Sequence, residues 1–458
     1  MKRVIAIVFF ISSCLLYLFS PSNYSFRYCL WCHNLFLATA AFVLISDFKN
    51  EKVGFNLLFT VSFFFTNFVY PIYIYPIDPS YSLFQFPFNE NVITKCTALA
   101  QVAYSTYSIG FFWEKPNPTN DNGFQHFPSI SNAKYYKSEL AVCLLVIVFI
   151  LLGGLEYFED RYLRGDLSSN LLVQYMMILF IPIIILYASL IYLCKSHKQI
   201  VRIHLILLVI TLVLLSSGTR TFPLIILACL FIIFCQRHKV SFTFVLLCVI
   251  FGVILMSYVG DSRSTGVFAS GQDVIEASQF GVIEKFSDLF INNRNLYVLY
   301  DFVSSHSCTY GLSMISNLLS PIPFAQGLFI KIFGIPPHML GSANFSTYLE
   351  FGVNPPLGLG TNIVGDVYLA FGNIGIFIFF FSLGYFVWYI RERMWHGSYM
   401  YLLIYLILAS DAIYMCRAAF FDALKNILWT LLFANLFFTK SNNEKHPTNH
   451  TREYGNDC

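Results

Sequence analysis

The sequence predicts an all-α, polytopic membrane protein with about twelve transmembrane helices and one large external loop. Three observations carry that prediction. Hydrophobic residues make up 57% of the 458-residue chain and charged residues only 12%, with 50 Phe. A soluble domain carries roughly twice that share of charge, about 25%, so this composition excludes one. Apolar runs of about 17–23 residues recur along the chain, each long enough to cross a hydrocarbon core. One stretch alone, Gly260 to Gly360, breaks the pattern with mixed polarity.

Each element then follows in order. Met1-Lys2-Arg3 followed by Val4 to Ser20 has the outline of a signal peptide, and Ile11-Ser12-Ser13-Cys14 vaguely has that of a lipoprotein cleavage box. The apolar run continues past Cys14 to Phe19, so an uncleaved first helix is expected. Further runs lie near 28–46, 53–75, 92–113, 138–155, 171–193, 203–217, 222–235, 241–258, 361–389, 398–416 and 422–438. The run at 361–389 is long enough to begin as an external helix or to tilt. The resulting division is helices over 1–258, a large loop over 259–360, helices over 361–438 and a tail over 439–458.

Lys and Arg set the orientation. With a cytoplasmic N-terminus, short inside connectors hold Lys49, Lys52, Lys134, Lys137, Lys195, Lys198, Arg237, Lys239, Arg391 and Arg393, and both termini are basic and inside. The large loop then lies on the opposite face, the periplasm in a bacterium. The net charge of +3 says nothing about nucleic acid, because the charges sit in connectors. Most of the 12 Cys lie inside apolar runs and read as small core residues without metal or disulfide spacing.

Loops as long as Gly260–Gly360 are usually functional. This one carries amphipathic patterning: Ile283, Phe286 and Phe290 fall at helical spacing, and Leu328, Ile330, Ile332 and Phe333 surround Lys331. Such segments suit the headgroup layer with their apolar faces down.

The external arginines are the informative ones, because the topology rule disfavours them. Arg220 sits in Ser217-Gly218-Thr219-Arg220-Thr221-Phe222-Pro223, between two runs of only about 14–15 residues that fall short of a hydrocarbon core. The turn is expected to be drawn toward the bilayer, with Thr221 capping the next helix and Pro223 in its first turn. Free N–H groups and a guanidinium would converge there on a phosphate. The alternative is a snorkelling arginine at a helix end. Arg263, two residues after Asp261, opens the large loop at the same depth, and an Asp–Arg pair ordering the loop is its alternative. Arg294 follows Asn292-Asn293, and Arg417 ends the eleventh run with Asp411 one to two turns before it. Arg161 and Arg164 lie in a mixed-sign stretch that reads equally as a solvated loop.

Acid–base candidates on this face are His306, His338, Glu350 and Asp366. A loop histidine is commonly just a surface group. Asp366, at the start of the tenth run, is more suggestive, although it would also favour that helix's N-terminus. The first external connector, Pro21 to Arg27, has no acidic residue, so it lacks the early carboxylate of metal-dependent lipid-phosphosugar transferases. No Walker, His-Glu-x-x-His or Gly-x-Ser-x-Gly sequence occurs. No metal and no cofactor is expected.

These features together resemble the Wzy-type O-antigen polymerases. The resemblance rests on the topology, on Ser217-Gly218-Thr219-Arg220-Thr221, on Thr309-Tyr310-Gly311-Leu312-Ser313 and Leu319-Ser320-Pro321-Ile322-Pro323. Its most specific part is Gly360-Thr361-Asn362-Ile363-Val364-Gly365-Asp366-Val367-Tyr368-Leu369-Ala370-Phe371-Gly372-Asn373-Ile374-Gly375. A family pattern of two arginine-x10-glycine repeats is not found, so no role tied to those repeats transfers. The resemblance implies a C-type glycosyltransferase-like fold in the bacterial inner membrane and a metal-independent reaction. A growing glycan on undecaprenyl diphosphate passes to the non-reducing end of an incoming lipid-linked unit. Arg220 and Arg263 would stabilise the leaving diphosphate, with Arg294 and Arg417 as further glycan or diphosphate ligands, and His338, Glu350 and Asp366 as candidate bases. Implied partners are the lipid-linked donor and acceptor, the bilayer, a chain-length regulator and a flippase, and no nucleic acid. An O-antigen ligase shares the large loop and arginine chemistry. A repeat-unit flippase should instead show two pseudo-symmetric halves.

Overall fold

The computed structural model describes residues 1–49, 54–79, 86–114, 127, 129–159, 171–216, 219–238, 240–252, 254, 290–355 and 358–438. Among them every regular element is a helix, as predicted. The first ten are α1 (Lys2–Leu18), α2 (Phe26–Lys49), α3 (Phe55–Asn67), α4 (Ile93–Phe111), α5 (Asn132–Leu151), α6 (Gly154–Glu159), α7 (Leu171–Ser189), α8 (His197–Ser216), α9 (Thr221–Arg237) and α10 (Phe242–Gly252). The described part of the large loop contributes α11 (Asn293–Ser305), α12 (Ile315–Leu319), α13 (Ala325–Phe333) and α14 (Ser342–Phe351). Then come α15 (Ile363–Trp395), α16 (Tyr399–Met415) and α17 (Ala423–Phe438).

Four of these segments, Phe26–Phe48, Leu172–Tyr192, His197–Ser216 and Ile363–Trp395, are long and apolar enough to cross a membrane. Other apolar helices are shorter, and the expected run at 53–75 shows why. The α-helix stops at Asn67 and a π-helical turn over Tyr70–Ile74 carries Pro71, which has no N–H to continue the α pattern. On α5, Leu140, Leu144, Ile147 and Leu151 form an exposed stripe at helical spacing, and Leu205, Leu208 and Leu212 do the same on α8. Stripes of this kind suit lipid and not water.

α4 is the least apolar long helix, with Thr94, Thr97, Gln101, Ser105, Thr106 and Ser108 along it, and it is buried on every side. Its hydroxyls bond inward: Ser105 pairs with Ser13 of α1 at 2.6 Å, and Thr60 of α3 pairs with Tyr104 at 2.6 Å. Polar side chains at helix contacts act as glue inside a membrane protein. α4 packs along α15 with its backbone almost touching. A Cβ on Gly384 would stand 2.1 Å from the Tyr107 carbonyl oxygen, and one on Gly110 2.1 Å from that of Phe381. The two helices run in the same direction, since Cys96 lies near Tyr368 and Tyr107 beside Gly384. A parallel pair requires an odd number of crossings between them, which α5, α7, α8, α9 and α10 can provide. At the far end of α15, Arg391 bonds Asp47 of α2 at 2.7 Å and lies 4.5 Å over the Phe111 ring.

Two expectations need correction. The run before Arg220 is not short, since α8 has 20 residues and is long enough to cross a membrane, whereas α9, with 17, does fall among the shorter helices. Lys198, Arg202, Gln236 and Arg237 remain helical, and long polar side chains at helix ends can reach out of the apolar layer. Thr221 does not cap α9 either. Arg220 occupies the cap position with no side-chain cap bond, while Pro223 does lie in the first turn.

The long run at 361–389 becomes a broken helix. Gly372 takes φ 61° and ψ −147° inside α15, a conformation open to glycine. A break there frees carbonyls one turn earlier. The Leu369 carbonyl accepts from Thr309 N–H at 2.8 Å and the Ala370 carbonyl from Gly311 N–H at 3.1 Å, so the external segment is stitched onto the broken turn. α11 seals the same contact by burying Leu296 and Leu299, with Tyr300 stacked on Tyr368 at 4.9 Å.

Candidate functional site

The block Gly360–Asp366 is a junction in which nearly every side chain holds a different element. Gly360 has φ +72°, and its carbonyl accepts from Ser346 of α14 at 2.6 Å. Asn362 caps α15 by accepting from Val364 N–H at 2.9 Å, while its amide donates to Asn67 at the end of α3. Gly365 lets α11 approach: a Cβ there would stand 3.3 Å from the Leu296 Cα. Asp366 is fully buried with Ser342 beside it, and it accepts from the Phe420 N–H at 2.8 Å. That bond crosses to the turn between α16 and α17, and the Ile363 N–H reinforces it by donating to the Cys416 carbonyl at 3.2 Å. The turn so held carries Arg417 and Asp422.

Next to this turn lies a cavity of about 330 Å³. Four helix ends meet around it. Gln174, Met177 and Ile178 come from the first turns of α7, Thr221 and Phe222 from the start of α9, Asp411 and Tyr414 from the end of α16, and Asp422, Lys425 and Asn426 from the start of α17. Under the alternation predicted from Lys and Arg, all four ends are external. Asp411 is 3% exposed, and its Oδ2 has no hydrogen-bond partner within the protein. Asp422 lies 3.8 Å from Lys425. Arg220 directly precedes the lining pair Thr221-Phe222. Arg417 lies one turn past Tyr414, with its N–H on the Tyr414 carbonyl at 2.8 Å.

Buried polar groups normally find partners, so the unengaged Asp411 oxygen in the cavity marks a place for water or ligand. Carboxylates inside a membrane helix are costly and tend to be functional. A carboxylate beside a cation, with guanidinium groups at the rim, can accept a proton and stabilise an anionic leaving group in one place.

The predicted residues divide accordingly. Arg220 directly precedes the lining residue Thr221, and Arg417 lies one turn past the lining residue Tyr414. Arg294, expected as a glycan or diphosphate ligand, and Glu350, expected as a candidate base, are bonded to each other. Arg294 is fully buried, also donates to the Pro87 carbonyl at 3.4 Å, and lies over Phe86. Burial pulls its guanidinium below the usual range, and Glu350 opposes that shift. Each charge of the pair answers the other, an arrangement that braces α11 against α14. His338 stacks flat on Tyr348, ring centroids 3.6 Å apart, in the external segment. His306 stacks on Phe302 at 4.6 Å. Asp366 lies at the junction, joined by the Phe420 bond to the turn that carries the cavity residue Asp422. Arg263, Arg161, Arg164, Ile283 and Phe286 lie outside the described residues.

Sequence reasoning noted Asp411 only as a neighbour of Arg417 and did not single out Asp422 or Asn426. The signal was present at Asp411, an acidic residue inside an apolar helix. Among the described residues, no three His, Cys, Asp or Glu side chains cluster as a metal site would need.

Comparison with known proteins gives one positive result. No curated protein and no solved structure matches the chain. The family model described as O-antigen polysaccharide polymerase Wzy matches residues 2–441, nearly the whole sequence. With its apolar helices, its junction at Gly360–Asp366 and this match, the chain belongs to the O-antigen polysaccharide polymerase Wzy family.

Proposed function

We propose that this protein polymerises undecaprenyl-diphosphate-linked O-antigen repeat units at the periplasmic face of the bacterial inner membrane, with both termini cytoplasmic. Family membership carries the general activity, repeat-unit polymerisation on lipid-linked oligosaccharides in a membrane. The carrier, the face and the residues are our reading. The observation that carries it is the cavity lined by Asp411, Asp422 and Lys425, with Arg220 next in sequence to its lining residue Thr221 and Arg417 one turn past Tyr414.

In this reading the acceptor sugar hydroxyl attacks the anomeric carbon of the growing glycan. The carbon–oxygen bond to undecaprenyl diphosphate breaks, and the electron pair leaves with the diphosphate. The hydroxyl proton passes to Asp411 or Asp422. Arg220 and Arg417 face the growing negative charge, where a planar guanidinium can hold two phosphate oxygens at once. Arg263 remains a proposed third ligand. A chain-length regulator and a flippase are proposed partners of the pathway.

The test is the lipopolysaccharide of a deletion strain. Loss of polymerisation leaves lipid A-core carrying a single repeat unit, whereas loss of ligation or flipping leaves bare core. Bare core alone, with the other assembly genes intact, would refute the polymerase reading.

A further inference from the structure

The described external segment leaves one apolar surface uncovered, and it lies beside the cavity. Ile322, Phe324, Leu328, Ile332 and Phe333 are each more than half exposed, with Lys331 among them. Two contacts fix where this segment sits. The indole N–H of Trp429 on α17 donates to the Pro321 carbonyl at 3.1 Å, and the Phe324 ring meets Tyr175 of α7 at 5.2 Å. Trp429 is six residues past the start of α17 and Tyr175 four past that of α7. At 1.5 Å per residue, the segment hangs about 6–9 Å below the external helix ends. Amphipathic helices lying in a bilayer surface bury their apolar face about 5–10 Å deep, the same range.

The backbone at Phe324 agrees. This residue adopts φ +64°, a left-handed conformation that a bulky side chain avoids. The ring is 75% exposed, so contacts within the chain offset little of that cost. Desolvation by lipid would offset it. On α17, to which the segment is tied through Trp429, Leu428, Leu432 and Leu436 are exposed at helical spacing.

We propose that residues 318–333 form an interfacial anchor embedded in the outer layer of the bilayer, at the lipid-side rim of the cavity. The occupant of the apolar face is phospholipid. Lys331 lies at headgroup level, and the anchor borders Gln174 and Lys425–Asn426 through its contacts one residue and one turn away. The inference rests on the membrane placement of the chain and not on the reaction proposed above.

The test is photocrosslinking in full-length protein in native membranes. A benzophenone amino acid is placed at Leu328, at Ile332 or at the exposed control Ser304 on α11, and adducts are read by mass spectrometry. Positions 328 and 332 should gain the mass of one phospholipid, and position 304 should not. Leu328→Asp combined with a benzophenone at Phe333 should lose the adduct at unchanged protein abundance. Adducts to a second copy or another protein, or no lipid adduct at either position in abundant protein, would overturn the assignment. An unaltered O-antigen ladder in the same strains shows that the reaction is unaffected, whichever way the crosslinking falls.

Discussion

Replacing Asp366 separates a residue that positions from one that reacts. Its Oδ2 accepts the Phe420 N–H at 2.8 Å and so holds the turn bearing Arg417 and Asp422. Asparagine has the same shape and keeps an acceptor oxygen for that N–H, while its new amide can turn to the neighbouring hydroxyl of Ser342, which is buried without a hydrogen-bond partner. A bond to a charged acceptor contributes about 1.5–3 kcal/mol and a neutral one about 0.5–1.5, so Asp366→Asn should cost roughly 1 kcal/mol. Asp366→Ala removes the acceptor, strands the Phe420 N–H and leaves a void, for roughly 2–4 kcal/mol in all. The expected outcome is a near-normal O-antigen ladder for Asn and a shortened or missing ladder with reduced abundance for Ala. The ladder is read on gels normalised to membrane abundance, with thermal unfolding in detergent as the second measurement. A group that must take a proton behaves oppositely, because asparagine cannot accept one at neutral pH. An empty ladder at normal abundance for Asp366→Asn would show that Asp366 takes part in the chemistry and is not a brace.

Four further outcomes follow from the same geometry. Asp411→Asn should keep abundance and abolish polymer, since Asp411 lines the cavity with an unengaged oxygen; a full ladder would remove it as a base. Arg417→Lys and Arg220→Lys should each shorten the ladder and Ala should do worse, by about 2–4 kcal/mol in the transition state if they act like other oxyanion donors; two full ladders for the Ala variants would leave these arginines with no part in the reaction. Gly384→Val should lower membrane abundance, because its Cβ meets the Tyr107 carbonyl at 2.1 Å and α4 and α15 must separate. Asp47→Ala should destabilise by about 3–5 kcal/mol by stranding Arg391 in the interior, and Asp47→Leu combined with Arg391→Met should recover much of that loss, as read by detergent melting.

The sequence by itself determined the class of protein, the helical runs and the family, because each depends on composition and on local order along the chain. Hydropathy marks a span whatever its neighbours are, and Gly360–Gly375 could be matched as a string. It also singled out Arg220 and Arg417, since a basic residue at the end of an apolar run is visible without any partner. Only the tertiary structure decided what these residues face. Arg294 and Glu350 lie 56 positions apart, and nothing local announces that they bond to each other. Asp366 read as a candidate base because a carboxylate at a span's start is costly, and only the fold shows that one of its oxygens, Oδ2, holds Phe420, 54 residues away. The Asp422–Lys425 pair is local, three residues apart, but Asp411, Thr221 and Gln174 come to line one cavity with it only when α7, α9, α16 and α17 pack. Packing creates that proximity, and a linear pattern carries no record of it.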